Sequence, residues 1–85
     1  MITFEYTIKD ELGIHARPAG ILVKEAGKFE SSVTITKGEK KADAKKIFAI
    51  MGLGVKCGET VTATVEGSDE EAAANAIKEL FETNL

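Results

Sequence analysis

The chain has 85 residues, of which 44% are hydrophobic and 29% charged, which is enough for one small folded domain and too apolar for a disordered tail. Its net charge of -3 argues against a nucleic-acid binder that relies on phosphate contacts. Cys57 is the single cysteine, so we expect neither an internal disulfide nor a structural zinc site, and no cofactor or metal is implied.

The first eight residues alternate apolar and polar side chains, which predicts a half-buried strand rather than a signal peptide. Ile2, Phe4, Tyr6 and Ile8 share its apolar face. No apolar run approaches the ~18 residues that a membrane-spanning segment needs. We therefore expect a cytoplasmic protein that does not bind a membrane.

A helical period follows this strand after a polar connection that ends at Gly13. Gly27 stands where such a helix would end. Pro18 is expected in the first turn, where its missing N–H group costs nothing, so the N-cap position falls near His15. The predicted apolar face of the helix consists of Ala19, Leu22, Val23 and Ala26.

The middle of the chain predicts a hairpin. Residues 32–36 alternate, with Val33 and Ile35 on one side, and a glycine-containing turn over residues 37–39 leads into a short strand over residues 40–42.

Residues 46–51 predict a short helix that ends at one of the two glycines after it. A helix of six residues cannot bury every large apolar side chain that this segment carries. We expect Ile50 to face the core and Phe48 and Met51 to face solvent, where they would form a docking patch.

The end of the chain predicts a strand over residues 60–65 and a final helix. Ser68 followed by Glu71 has the pattern of a capping box, and Asp69 and Glu70 complement the helix dipole. The apolar face of this helix consists of Ala73, Ala76, Ile77, Leu80 and Phe81. The element order β-α-β-β-α-β-α predicts an α+β open sandwich, with the helices on one face of an antiparallel sheet.

The predicted start of the first helix is a candidate functional site. His15, the only histidine, stands at a cap position that prefers Ser, Thr, Asp or Asn. The unpaired N–H groups of Ala16 and Arg17 would favour an anion there, and the Arg17 side chain suits phosphate oxygens. The same positive environment favours an uncharged, nucleophilic ring nitrogen, which indicates reversible phosphorylation of His15. The competing interpretation is a surface histidine without chemistry.

This segment resembles the active-site signature of HPr, the histidine-containing phosphocarrier of the bacterial phosphoenolpyruvate:sugar phosphotransferase system (PTS). The matching residues are Gly13, Ile14, His15, Ala16, Arg17, Pro18 and Ala19. Residues 50–55 with Gly58 are similar to the family's second-helix region, and residues 67–71 to the start of its last helix. The resemblance implies a single HPr domain over residues 1–85, with a four-stranded antiparallel sheet covered on one face by three helices.

The resemblance also implies a function. His15 would accept a phosphoryl group on Nδ1 from phosphorylated Enzyme I and donate it to Enzyme IIA domains, while Arg17 stabilises the group and Pro18 helps to set the helix start. The protein would be a carrier and not an enzyme, and we expect a monomer. The positions implied in partner docking are Gly20, Lys24, Ile47, Phe48 and Met51.

One position departs from the family's pattern. Many HPr proteins carry a regulatory serine at the start of the second helix, where this chain has Lys46. Because an amine is not a substrate for a serine kinase, we expect no control by HPr kinase. The departure keeps a second interpretation open, in which the chain is an HPr-like paralogue with a regulatory or scaffold role in a phosphotransfer branch not devoted to sugars.

A third interpretation, a nucleic-acid-binding α+β module, lacks both the aromatic RNP motif and a G-x-x-G loop between helices, so no nucleic-acid partner is expected. The only basic cluster lies within residues 37–46. Its hairpin lysines, expected to be solvated, are Lys37, Lys40 and Lys41. The basic residues expected to attract an acidic partner surface are Lys45, Lys46, Lys24 and Arg17.

Overall fold

The computed structural model describes residues 1–85, and its elements follow the predicted order. The strands are β1 (Ile2–Thr7), β2 (Ser32–Lys37), β3 (Lys40–Asp43) and β4 (Thr60–Glu66). The helices are α1 (Ala16–Ala26), α2 (Ile47–Gly52) and α3 (Glu70–Asn84). Every predicted strand and helix is therefore present.

The four strands form one antiparallel sheet in the order β1-β4-β2-β3. The central strand β4 places Val65 opposite both Ile2 of β1 and Val33 of β2. The predicted hairpin joins β2 to β3, with Lys37 opposite Lys40 at its closed end. The first strand of the chain thus pairs with the last one.

Period-two alternation decides which face of the sheet is covered. The fully buried residues of the two middle strands are Val33, Ile35, Val61, Ala63 and Val65. The threonines between them are exposed or half-buried, so the other face is open. On the covered face, the ring of Phe81 in α3 contacts those of Phe4 and Tyr6, with centroid separations of 6.0 and 5.6 Å. This arrangement confirms the predicted α+β open sandwich.

The helices bury most of the residues on the faces that their periodicity predicts, but Val23 of α1 and Ala76 of α3 are only half-buried. In α1 the buried residues include Ala19, Leu22 and Ala26, and in α3 they include Ala73, Ile77, Leu80 and Phe81. The short α2 buries only Ile50. None of the three helices combines the length and apolar composition that crossing a bilayer would require.

The start of α3 differs from the prediction, because the N-cap residue is Asp69 and no capping box forms between Ser68 and Glu71. The Asp69 carboxylate accepts the backbone N–H groups of Glu30 and Ser31, each at 2.9 Å, and the hydroxyl of the buried Ser31. Ser68 donates to the Glu30 carboxylate at 3.2 Å. Both side chains are therefore used to tie the connection between α1 and β2 to α3.

Lys37 is not solvated as expected. Its Nζ atom lies 3.0 Å from Oε1 of Glu59. The backbone N–H of Lys56 donates to the same oxygen at 2.7 Å. These two donors, the Lys56 amide above all, lower the pKa of Glu59. Lys40 and Lys41 are exposed, as predicted.

Candidate functional site

His15 is the N-cap residue of α1, as the position of Pro18 predicts. Its backbone is extended, at φ -101 and ψ -175, and its carbonyl accepts the N–H of Ala19 at 3.0 Å, which closes the first turn. The imidazole makes no capping hydrogen bond and is 34% exposed. The ring is thus held at the helix start and remains open to solvent.

The loop before His15 is seated on the segment that leads into β4. Gly13 adopts φ +70, and a Cβ atom built on it would lie 2.1 Å from the carbonyl oxygen of Val55. The same oxygen accepts the N–H of the buried Ile14 at 3.1 Å. Only glycine combines this conformation with so close an approach, so Gly13 fixes where His15 begins the helix.

The first turn of α1 offers unpaired donors beside the ring. The N–H groups of Ala16 and Arg17 have no acceptor inside the helix and donate to no loop or side chain. Pro18 follows them without an N–H group and is buried, while Arg17 is exposed. Two amides, a helix dipole and a guanidinium group therefore favour an anion next to His15.

An open cavity of about 250 Å³ lies at this place. Its lining residues are Asp10, His15, Arg17, Pro18, Ile21, Thr83 and Asn84. Thr83 and Asn84 come from the end of α3, so the cavity lies between the start of α1 and the end of α3. Nowhere in the structure do three or more His, Cys, Asp or Glu side chains converge as metal ligands would.

Sequence reasoning missed one member of the site. Oδ1 of Asp10 lies 3.6 Å from Nε2 of His15, which is too long for a hydrogen bond but close enough for an ion pair when the imidazole is protonated. The same Oδ1 accepts the N–H of Leu12 at 2.8 Å. An aspartate commonly accepts the backbone N–H two residues later in such a turn, but this local pattern does not show that the carboxylate faces the ring.

The predicted docking residues lie on α1 and α2, which pack together. A Cβ atom built on Gly20 would make an ordinary van der Waals contact of 3.9 Å with Cδ1 of Ile47, so Gly20 lies on the side of α1 that faces α2. Lys24 is exposed in the last turn of α1. On α2, Phe48 is 85% and Met51 40% exposed, as predicted.

The other large apolar side chains that are exposed, Met1, Leu12 and Ile21, were not assigned to docking from the sequence. Lys46 is the N-cap residue of α2 and is exposed. The Nζ atom of Lys45, a residue predicted to attract an acidic partner, donates to the carbonyl of Phe29 at 2.9 Å.

Comparison with known proteins shows similarity along the whole chain. The family model described as the PTS HPr component phosphorylation site matches residues 2–83. The phosphocarrier protein HPr of Mycoplasma capricolum is 42% identical over 79 residues, which cover 93% of this chain and 89% of the relative.

Solved structures share the fold. The HPr-C-His structure from Thermoanaerobacter tengcongensis superposes with a TM-score of 0.93 at 43% identity, and the match covers 98% of this chain and 93% of that one. The Crh protein of Bacillus subtilis, named for catabolite repression and described as a domain-swapped dimer, gives a TM-score of 0.79 at 33% identity, covering 100% of this chain and 98% of that one.

Proposed function

Because the chain belongs to the HPr family of phosphocarriers of the phosphotransferase system, we propose that His15 accepts a phosphoryl group from phosphorylated Enzyme I and passes it to Enzyme IIA domains during sugar uptake. The observation that carries the proposal is the open imidazole at the N-cap of α1, beside two unpaired amides and Arg17. The reaction belongs in the cytoplasm, and the unit that performs it is the single domain of residues 1–85.

The chemistry needs one nucleophile and a cradle for negative charge. The lone pair of Nδ1 attacks phosphorus and the new N–P bond forms, while the bond between phosphorus and the donor atom of Enzyme I breaks with its electron pair left on the donor. The amides of Ala16 and Arg17 and the Arg17 guanidinium stabilise the phosphoryl oxygens in transit. His15 returns to its original state when the group leaves, so the protein acts as a carrier rather than as an enzyme.

A mass measurement tests this proposal. The protein is incubated with Enzyme I, Mg²⁺ and phosphoenolpyruvate, and the intact mass is recorded. We expect a gain of one acid-labile phosphoryl group that is absent in His15→Ala and retained in Lys40→Ala, an exposed change in the hairpin. No gain with Enzyme I that phosphorylates another HPr would exclude the proposal.

The docking surface that we propose consists of Gly20, Lys24, Ile47, Phe48 and Met51. Its support is the exposure of Phe48 and Met51, because large apolar side chains at the surface often anchor a partner. The partners would be Enzyme I and Enzyme IIA domains, which meet the carrier in turn.

We also propose that HPr kinase does not act on this chain, since an amine stands at position 46. Incubation with HPr kinase and ATP should leave the mass of the protein unchanged, while Lys46→Ser should gain an acid-stable phosphoryl group. A gain at another residue of the wild-type protein would contradict the proposal.

The proposed carrier is a monomer. Dimers occur among the solved relatives, including the domain-swapped Crh structure. Sedimentation at the concentrations used for transfer should give the mass of one chain, and a concentration-dependent dimer would refute this part of the proposal.

A further inference from the structure

We propose that Asp10 is a positioning residue for His15: its carboxylate holds a proton on Nε2 and so leaves Nδ1 free to carry the phosphoryl group. The inference rests on the phosphocarrier function proposed above and adds a residue that lies outside the motif of residues 13–19.

The carboxylate is anchored in place beside the ring. Its Oδ1 atom lies 3.6 Å from Nε2 of His15, and both side chains are partly buried, with 27% and 34% of their surface exposed. The backbone N–H of Asp10 donates to a main-chain oxygen of Leu85 at 2.8 Å, and Oδ1 accepts the Leu12 N–H at 2.8 Å. Catalytic contacts of this length in a free protein commonly shorten when the reaction partner arrives.

The charges in the cavity are few. Arg17 is its only cationic side chain and Asp10 its only carboxylate. The residues that α3 contributes, Thr83 and Asn84, are uncharged. Asp10 is therefore the one side chain lining the cavity that favours a proton, or a positive charge, on the imidazole.

The charge balance of the reaction shows why this matters. A neutral imidazole with its proton on Nε2 attacks through Nδ1, so the ring becomes positively charged when the N–P bond forms, and no proton enters or leaves. The Asp10 carboxylate stabilises that charge. A proton kept on Nε2 also makes the imidazole a better leaving group, because the ring departs neutral when the next acceptor takes the phosphoryl group.

The first test reads the position of the proton by nitrogen NMR of the unphosphorylated protein, in which the single histidine gives one pair of ring signals. Asp10→Asn removes the charge but keeps an oxygen that can accept the Leu12 N–H. We expect the ratio of the Nε2–H to the Nδ1–H tautomer to fall by about two- to fivefold, the range for a partly exposed charge pair. Glu11→Gln, which removes an exposed charge without an ion pair to the ring, should match the wild type.

The second test follows the loss of the phosphoryl group after loading with phosphoramidate, a small donor that needs no partner protein. At neutral pH the Asp10→Asn variant should lose the group about two- to fivefold more slowly, and the profile of rate against pH should move to lower pH. Asp10→Glu should restore the wild-type profile in part.

Identical tautomer ratios and identical pH profiles in the wild type and in Asp10→Asn would overturn the inference. Failure of phosphorylated Enzyme I to load the wild-type protein would count against the proposed function instead. Neither the tautomer ratio nor loading with phosphoramidate depends on Enzyme I, so the two failures are distinguishable.

Discussion

Gly13 controls the site at the scale of a single residue, because its φ of +70 and its approach to Val55 seat the loop that carries His15. Gly13→Ala should lower the free energy of unfolding by more than the ~1–2 kcal/mol that a left-handed conformation costs an alanine, since the added Cβ also forces the backbone to move. Urea denaturation measures the loss.

Gly38 provides the matched control. It has φ +60 in the hairpin turn, and a Cβ there would meet nothing within 4 Å. Gly38→Ala should therefore cost only the conformational part, and equal losses in the two variants would show that the contact with Val55 carries no weight.

Arg17 belongs to the same scale but acts on chemistry rather than on folding. Its side chain is exposed and forms no ion pair in the structure. Arg17→Ala should slow phosphoryl transfer by about tenfold, the size of one charge-assisted hydrogen bond, and leave the melting temperature almost unchanged. The rate of phosphoryl transfer and the thermal melt measure the two effects separately. A large loss of thermal stability would contradict the role of Arg17 in chemistry rather than in folding.

At the scale of elements, the six residues of α2 include both a side chain that packs in the core and one that is exposed for a partner to bind. Phe48 is 85% exposed, whereas Ile50 is fully buried. Phe48→Ala should weaken binding to Enzyme I by more than ~1 kcal/mol and leave stability nearly intact. Ile50→Ala should instead cost about 2–5 kcal/mol of folding free energy. Titration followed by NMR measures binding, and unchanged affinity of Phe48→Ala would remove Phe48 from the docking surface.

The elements themselves could be predicted because their periods are local. The alternation of Ile2, Phe4 and Tyr6 predicts a half-buried strand, and the apolar stripe that ends at Phe81 predicts one buried helix face. Pro18 likewise predicts the N-cap position at His15. The roles of His15 and Arg17 in phosphoryl transfer stay predictions.

The contacts that prediction missed join residues far apart in sequence. The Asp69 side chain could have capped its own helix, but it accepts the backbone N–H groups of Glu30 and Ser31, which are 39 and 38 positions away. Asp10 is near His15 in sequence, yet the position of its backbone depends on the residue that follows α3, because a main-chain oxygen of Leu85 accepts the Asp10 N–H group. No local pattern carries such information.

At the scale of the whole molecule, ionised groups limit the pH range of stability. The pKa of Asp69 is lowered chiefly by the Ser31 hydroxyl, that of Glu59 by the Lys56 amide, and that of Glu70 by the amino group of Met1. Because these pKa values lie lower in the folded protein than in the unfolded chain, the stability that they contribute is present above the ordinary carboxylate values and is lost as the pH falls through the lowered ones.

The amino group of Met1 sets the opposite limit. Its hydrogen bond to Glu70 raises its pKa above 8.0, so its contribution is complete below that value and is lost as the pH rises through the raised one. Thermal melts across pH should show a plateau between about pH 5 and about pH 8 with a decline on each side. Glu70→Gln should reduce both declines, and an unaltered profile in that variant would contradict the account.

The strand order has a consequence for how the protein is made. The strand β4 lies between β1 and β2, so Ile2 has no strand partner until Val65 has been synthesised. During translation, the β2–β3 hairpin can close early, while the first strand stays without a partner until the ribosome has released nearly the entire polypeptide. Such distant pairing slows folding, and the nascent chain meanwhile exposes a bare apolar strand that chaperones can recognise.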